Sequence, residues 1–225
     1  MVSHNNIEGR KYGDSDPSRK SYRLILDKDW LLEDLYNIPR AFDQCYSFIY
    51  CLDSKLDSHD RERVNSAFPW RGGFGYVNIY SVMRSQVPWR DRPRVKAIQK
   101  ASPGWLDLLL NADVAIQVAK SVTALSGAGV VATKGYASIR KILSQIKVNQ
   151  QKDKLNELEF INMQHKMLMT MCETIAMFVG FKNVQELHAS TESPEVSLKL
   201  LSAHYRRTSV LLDYVRTGKV RLPEK

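Results

Sequence analysis

The sequence predicts an α+β fold that is mainly α, with a small N-terminal antiparallel sheet and its helices followed by a C-terminal helical bundle or helical hairpin. Three observations predict it. Tyr22, Leu24 and Leu26 alternate with more polar positions, the period of a half-buried strand. Leu158, Ile161, His165, Leu168, Cys172, Ile175 and Val179 recur at spacings of three and four, the period of a helix–helix seam. Ser102-Pro103-Gly104 punctuates the chain between these two patterns. The expected organisation is a flexible tail over 1–20, a small α+β module over 21–102, and a helical domain over 103–225 with a Gly/Ala-rich hairpin and a coiled-coil-like helix.

The elements follow in order. Ser21 to Leu26 is expected as a strand. Asp29 can cap a short helix through Tyr36, and Pro39 then opens a second one, since proline suits a first turn and disrupts an interior. On that second helix Phe42, Cys45, Tyr46, Ile49 and Leu52 form a buried stripe. Tyr76 to Met83 and Val95 to Gln99 are expected as further strands. Ser102 reads as an N-cap with Pro103 at the first helical position, predicting a helix through Asn111. Asp113 opens the next helix, which runs to the glycines, and helix continues from Ala128 to Phe178 with breaks near Gly135 and Asn149. Gly180 is a C-cap glycine, Asn183 with Glu186 a capping box, and Ser193-Pro194 the start of a last helix. That helix carries Leu198, Leu201, Tyr205, Leu212 and Val215 on one side and ends at Gly218.

Composition bounds the function. The chain has 225 residues, 44% hydrophobic, with a net charge of +9, which suits a folded protein with a real core. Three cysteines without C-x-x-C spacing support neither a disulfide framework nor a zinc site and point to a reducing compartment. The first twenty residues have no apolar core and are not expected to be a secretory signal. The densest charge is local: Arg84, Arg90, Arg92, Arg94, Lys96 and Lys100 face only Asp91. With Trp89 beside them, the extended arginines Arg90, Arg92 and Arg94 and Lys96 form an expected anionic-surface site for phosphates, lipid headgroups or an acidic partner. Equally, such charges protect an exposed edge strand from sheet-to-sheet aggregation.

The uncharged stretch Ser121 to Thr133 carries small residues every fourth position, at Ala124, Ala128 and Ala132, around Gly127 and Gly129. Small side chains at that spacing let helix backbones approach closely. Lys134, Arg140, Lys141 and Lys147 follow, and a basic cluster beside an apolar segment attracts an anionic membrane. These residues therefore serve helix packing, a membrane, or an inter-subunit surface. The seam residues Leu158, Ile161, His165, Leu168, Cys172 and Ile175 pair either within the chain or between subunits, and the second choice makes a homo-oligomer.

Enzyme signatures are missing: no nucleophile elbow, phosphate loop, HExxH or zinc spacing occurs. Ser58-His59-Asp60 has the letters of a triad but not its geometry, because triads assemble from separate elements. Asp53, Asp57 and Asp60 would align on a helix, where three carboxylates suit either Mg²⁺ or a solvated face; no metal and no cofactor are expected. Gly73-Phe74-Gly75-Tyr76-Val77 resembles part of the RNA-recognition-motif octapeptide, departing from it at Gly72 and Ile79. The resemblance implies Phe74 and Tyr76 as base-stacking residues. Pro88 to Pro93, however, interrupt the helix such a domain needs next.

The function expected is therefore non-catalytic: a self-associating interaction or effector protein meeting an anionic membrane or acidic partner, cytoplasmic or peripheral at the membrane. An effector of bacterial stress or phage-defence type fits this architecture. The alternative is a nucleic-acid-binding protein using Phe74, Tyr76 and the adjacent arginines.

Overall fold

The computed structural model describes residues 19–52, 58–67, 79–149 and 157–225. Its elements are β1 (Arg19–Leu26), α1 (Leu32–Cys51), α2 (Ser58–Ala67), α3 (Ile79–Gln86), a 3-10 turn (Trp89–Asp91), β2 (Arg94–Gln99), β3 (Gly104–Asn111), α4 (Ala112–Asn149), α5 (Glu157–Phe178), α6 (Val184–Thr191), α7 (Pro194–Arg216) and β4 (Val220–Arg221). The four strands form one antiparallel sheet in the order β2-β3-β1-β4. The fold is α+β and mainly helical, as the sequence predicts.

Alternation along β1 and β3 buries Tyr22, Leu24 and Leu26 with Leu106, Leu108 and Leu110. The other face holds Arg23, whose guanidinium donates to both carboxylate oxygens of Asp107 at 2.6 and 2.8 Å and lies 4.5 Å over Trp105. The buried face receives α1. Its rings at every fourth residue extend one column, Tyr22–Phe42–Tyr46–Tyr50, with centroids 6.0, 6.4 and 6.2 Å apart. Tyr46 fixes α1 to the sheet: its hydroxyl donates to the Asp91 carbonyl at 2.7 Å and accepts from the Asn111 amide at 3.1 Å. α7 packs against α1, α4, α5 and α6, so the core continues from the sheet into the bundle.

Three expected elements differ. Pro39 does not divide α1, which runs unbroken from Leu32 to Cys51. Proline removes a donor but not the packing of its neighbours, and Ile38, Ala41, Phe42 and Cys45 are all buried. The strand expected over Tyr76 to Met83 is instead helix from Ile79, with Ile79 and Met83, one turn apart, both buried; residues 76–78 lie outside the described part. The helix expected over Pro103 to Asn111 is β3. Gly104 shows why: a Cβ there would lie 2.6 Å from the Gln99 carbonyl oxygen, an approach set by the tight β2–β3 connection.

The helix ends follow the sequence more closely. Gly180 (φ +63°) and Gly218 (φ +73°) close α5 and α7 in Schellman geometry, with Phe181 and Lys219 amides donating back to the Ala176 and Tyr214 carbonyls at 2.8 and 3.0 Å. The Ser193 hydroxyl caps α7 by accepting from the Val196 amide. Asn183 stands at the N-cap of α6 without a side-chain bond. At the start of α4 it is Asn111 that accepts from the Asp113 and Val114 amides.

Candidate functional site

The arginine-rich segment lies between α3 and β2, and much of its charge has local work. The Arg92 guanidinium donates to the Val87 and Ser85 carbonyls at 2.9 and 3.2 Å, and Arg63 donates to the Gln86 carbonyl at 2.7 Å. Together they satisfy the last carbonyls of α3, where positive charge also suits the helix dipole. Arg84 pairs with Asp43 at 3.2 Å, and Arg90 with the buried Asp91 at 3.3 Å. Asp91 also accepts from the Tyr50 hydroxyl at 2.8 Å. Trp89 is exposed, with the Arg94 guanidinium 5.9 Å from its ring centre. Thus Trp89 and Arg94 come together, Lys96 is exposed on β2, Arg92 is turned onto the end of α3, and Arg84 and Arg90 keep largely exposed side chains beside their carboxylate partners.

β2 is the edge of the sheet, with β3 on one side and no described strand on the other. Val95 and Ile98 pair with the core residues Leu108 and Leu106, yet they are 64% and 57% exposed because the helices do not reach that far. At their foot opens a cleft of about 850 Å³ between the β1–α1 loop and the β2–β3 turn, walled by Leu26, Trp30, Leu35 and Ile98 with Lys28, Asp29 and Lys100 among its charged lining. Trp30 is fixed as a wall by its indole N–H donating to the Asp27 carbonyl at 3.0 Å. Leu31, Leu32 and Tyr36 are exposed beside it at the start of α1. No motif in the sequence marks this cleft; the signal that could have found it is the apolar run Trp30 to Leu32 directly before a helix.

The uncharged stretch is divided by its glycines. Gly129 leaves the helical region (φ 51°, ψ −129°) and kinks α4, while Gly127 stays helical. Before the kink Val122 and Leu125 are buried and Ala124 and Ala128 half-buried; after it Ala132 and Ile139 face the core. Val130 and Val131 are 68% and 69% exposed, and Lys134, Ala137, Ser138, Arg140 and Lys141 continue the same exposed arc at helical spacing. No acidic residue occurs between Asp113 and Asp153. Residues Ala112–Ile142 are long and apolar enough to cross a membrane by length and composition, with 39% of the most apolar window buried.

The seam is partly internal. Cys172 and Ile175 are fully buried, the Cys172 thiol donating to the Pro194 carbonyl at 3.5 Å at the head of α7. Leu168 is half-buried and His165 exposed, while the side chains of Leu158 and Ile161 lie outside the described part. So do Phe74 and Tyr76 of the octapeptide, and the side chains of Asp53, Asp57 and Asp60.

The buried thiols and the buried imidazole of His204 are held uncharged. Burial pushes the thiols of Cys45, Cys51 and Cys172 up to about 12, so none is an activated nucleophile. His188 Nδ1 lies 2.8 Å from Ser197 Oγ, which is 2.6 Å from Thr191 Oγ1. This has the residue types of a nucleophile–base pair, but Ser197 is fully buried and offers a substrate no approach; the set instead ties α6 to α7. Burial also lowers His188 below the ordinary imidazole range. His204, fully buried and stacked 4.2 Å from Phe48, is pushed down to about 3. Among the described residues no cluster of His, Cys, Asp or Glu could hold a metal ion.

No family model matches the chain, and no curated protein or solved structure matches it.

Proposed function

We propose that this is a non-catalytic interaction protein that attaches reversibly to an anionic membrane surface through the exposed arc of α4 after its kink. The observation that carries this is the pairing of Val130 and Val131, both largely exposed, with Lys134 and Arg140 on a helix segment that has no acidic residue. Two valines entering the headgroup boundary contribute about 1.5–3 kcal/mol each at full burial, and each cation near the surface about 1 kcal/mol. A sum of roughly 5–8 kcal/mol corresponds to a weak, salt-sensitive attachment in the micromolar to sub-millimolar range. It falls well short of a permanent anchor. The buried part of the seam faces this chain's own α7, so a self-association surface would have to use other residues.

Co-sedimentation with phosphatidylglycerol-containing vesicles, against pure phosphatidylcholine, tests the reading. Binding is expected to the anionic vesicles at low salt and to be lost at high salt. Val130→Ser with Val131→Ser, and separately Lys134→Glu with Arg140→Glu, should each lower the bound fraction several-fold without changing the circular dichroism, because all four side chains are exposed. Equal recovery of the wild-type protein with both vesicle types would rule the reading out.

A further inference from the structure

We propose that the β2 edge and the cleft beneath it dock an extended acidic segment of a partner protein, which adds a strand to the sheet and places one apolar side chain in the cleft. This inference is independent of the membrane reading and uses a different basic surface. Among the described residues no strand pairs with the outer side of β2, and an edge of this kind is the template for strand addition. Protected edges are expected to present charge and little else, and the shift in register between Val95 and Ala97 is such a protection. Past that bulge the edge changes character. Ile98 is more than half exposed, the strand runs straight into the β2–β3 turn, and Ile98, Gln99, Lys100 and Ala101 line the cleft itself. An edge that only needed protection has no use for two exposed branched residues above an open apolar recess.

Charge selects the occupant. From Arg92 to Pro103 there is no acidic residue, and Arg92, Arg94, Lys96 and Lys100 are basic; Lys96 and Lys100 are exposed. Asp107, the acidic residue paired across from Ala97, is already held by Arg23. A second copy of this chain pairing edge to edge would bring those lysines against their own counterparts, which disfavours a homodimer here. An acidic strand meets the same edge with complementary charge. Nucleic acid shares the charge but has no strand to offer and no use for Val95, Ile98 and a cleft walled by Leu26, Trp30 and Leu35.

The test is fluorescence polarisation with labelled short peptides that alternate Glu with Leu, Ile, Phe or Tyr. Matched controls carry Lys in place of Glu, or Pro at alternate positions to remove the amide donors, and poly-uridylate is the nucleic-acid arm. Binding is expected for members of the Glu series only, with Trp30 fluorescence responding. Ile98→Asp should abolish it, and Lys96→Glu with Lys100→Glu should weaken it at least tenfold, while vesicle sedimentation stays unchanged in both. Absence of binding across the Glu series at low salt overturns the proposal. So does equal binding of the Pro series, which would mean charge alone, or tighter binding of poly-uridylate, which would assign the edge to nucleic acid.

Discussion

His204 shows how much a single side chain can commit a fold to a pH range. It sits in α7, fully buried, with its ring parallel to Phe48 and neither ring nitrogen hydrogen-bonded. Desolvation alone depresses it from 6.5 to about 3, so the folded protein keeps it neutral where the unfolded chain protonates it. Between those two values the unfolded state binds more protons, and stability must fall as pH falls through 6.5. The loss amounts to about 2 kcal/mol between pH 7 and pH 5. His204→Phe keeps the stack on Phe48 and removes the titrating group. Urea unfolding at the two pH values should show the wild type losing about 2 kcal/mol more than the variant; parallel losses would mean that His204 titrates normally. The partners of Arg84 and Arg92 make the same point about reading residues. The sequence shows a basic patch, and only the fold shows that these two guanidinium groups are turned to Asp43 and to the end of α3.

Elements differ in how far their signals are local. Helix ends are local, so Gly180, Ser193-Pro194 and Gly218 mark them in the sequence and in the structure alike. The same locality gives neighbouring glycines opposite predicted effects. Gly127 is helical and a Cβ there meets nothing within 4 Å, so Gly127→Ala should stabilise by about 0.5–1 kcal/mol by reducing the freedom of the unfolded chain. Gly180 has a φ of +63° and its added Cβ would lie 3.1 Å from that of Ala124, so Gly180→Ala should destabilise by about 1–2 kcal/mol. Thermal unfolding of the two variants decides it; the same sign for both would show that backbone conformation is not the controlling factor. Strand pairing is not local, and there sequence reading goes astray. Trp105 to Leu110 is an apolar run that suits a helix or a buried strand equally, and it becomes β3 because Arg19 to Leu26 pairs with it along eight positions. Ile79 to Met83 fails in the opposite direction, its branched residues suggesting a strand while the fold packs the segment as a helix against α1. The cleft was illegible for the same reason: its walls come from residues 26–35 and 98–104, which no sequence pattern connects.

On the scale of the whole molecule, the sheet and the bundle are tied by the last turn of chain after α7. β4 pairs Val220 with Leu26 and Arg221 with Ile25. The Lys219 ammonium lies 2.7 Å from the buried Asp34 carboxylate, which also accepts the Leu31 amide and is held below the usual carboxylate range by both. Tyr22 donates to the Pro223 carbonyl at 2.7 Å, and Thr123 of α4 donates to Glu224. One short segment therefore contacts β1, α1 and α4, while the hydrophobic cluster itself runs from Tyr22 to Val220 without a gap at Ser102. Such a core should unfold as one unit. The described tryptophans, Trp30, Trp89 and Trp105, report on the sheet side, and far-ultraviolet circular dichroism reports mainly on the helices, so the two transitions should coincide. Removing residues 218–225 takes away the buried Val220, the β4 bonds and the partner of Asp34, leaving a carboxylate buried without its ammonium. The cost should be about 4–6 kcal/mol, or a fall in Tm of roughly 10–20 °C for a chain of this size. Both probes should move together in the shortened chain. A tryptophan transition that shifts while the helical signal stays put would instead divide the molecule near Ser102 into two separately folding parts, as the change of pattern at Ser102-Pro103-Gly104 first suggests.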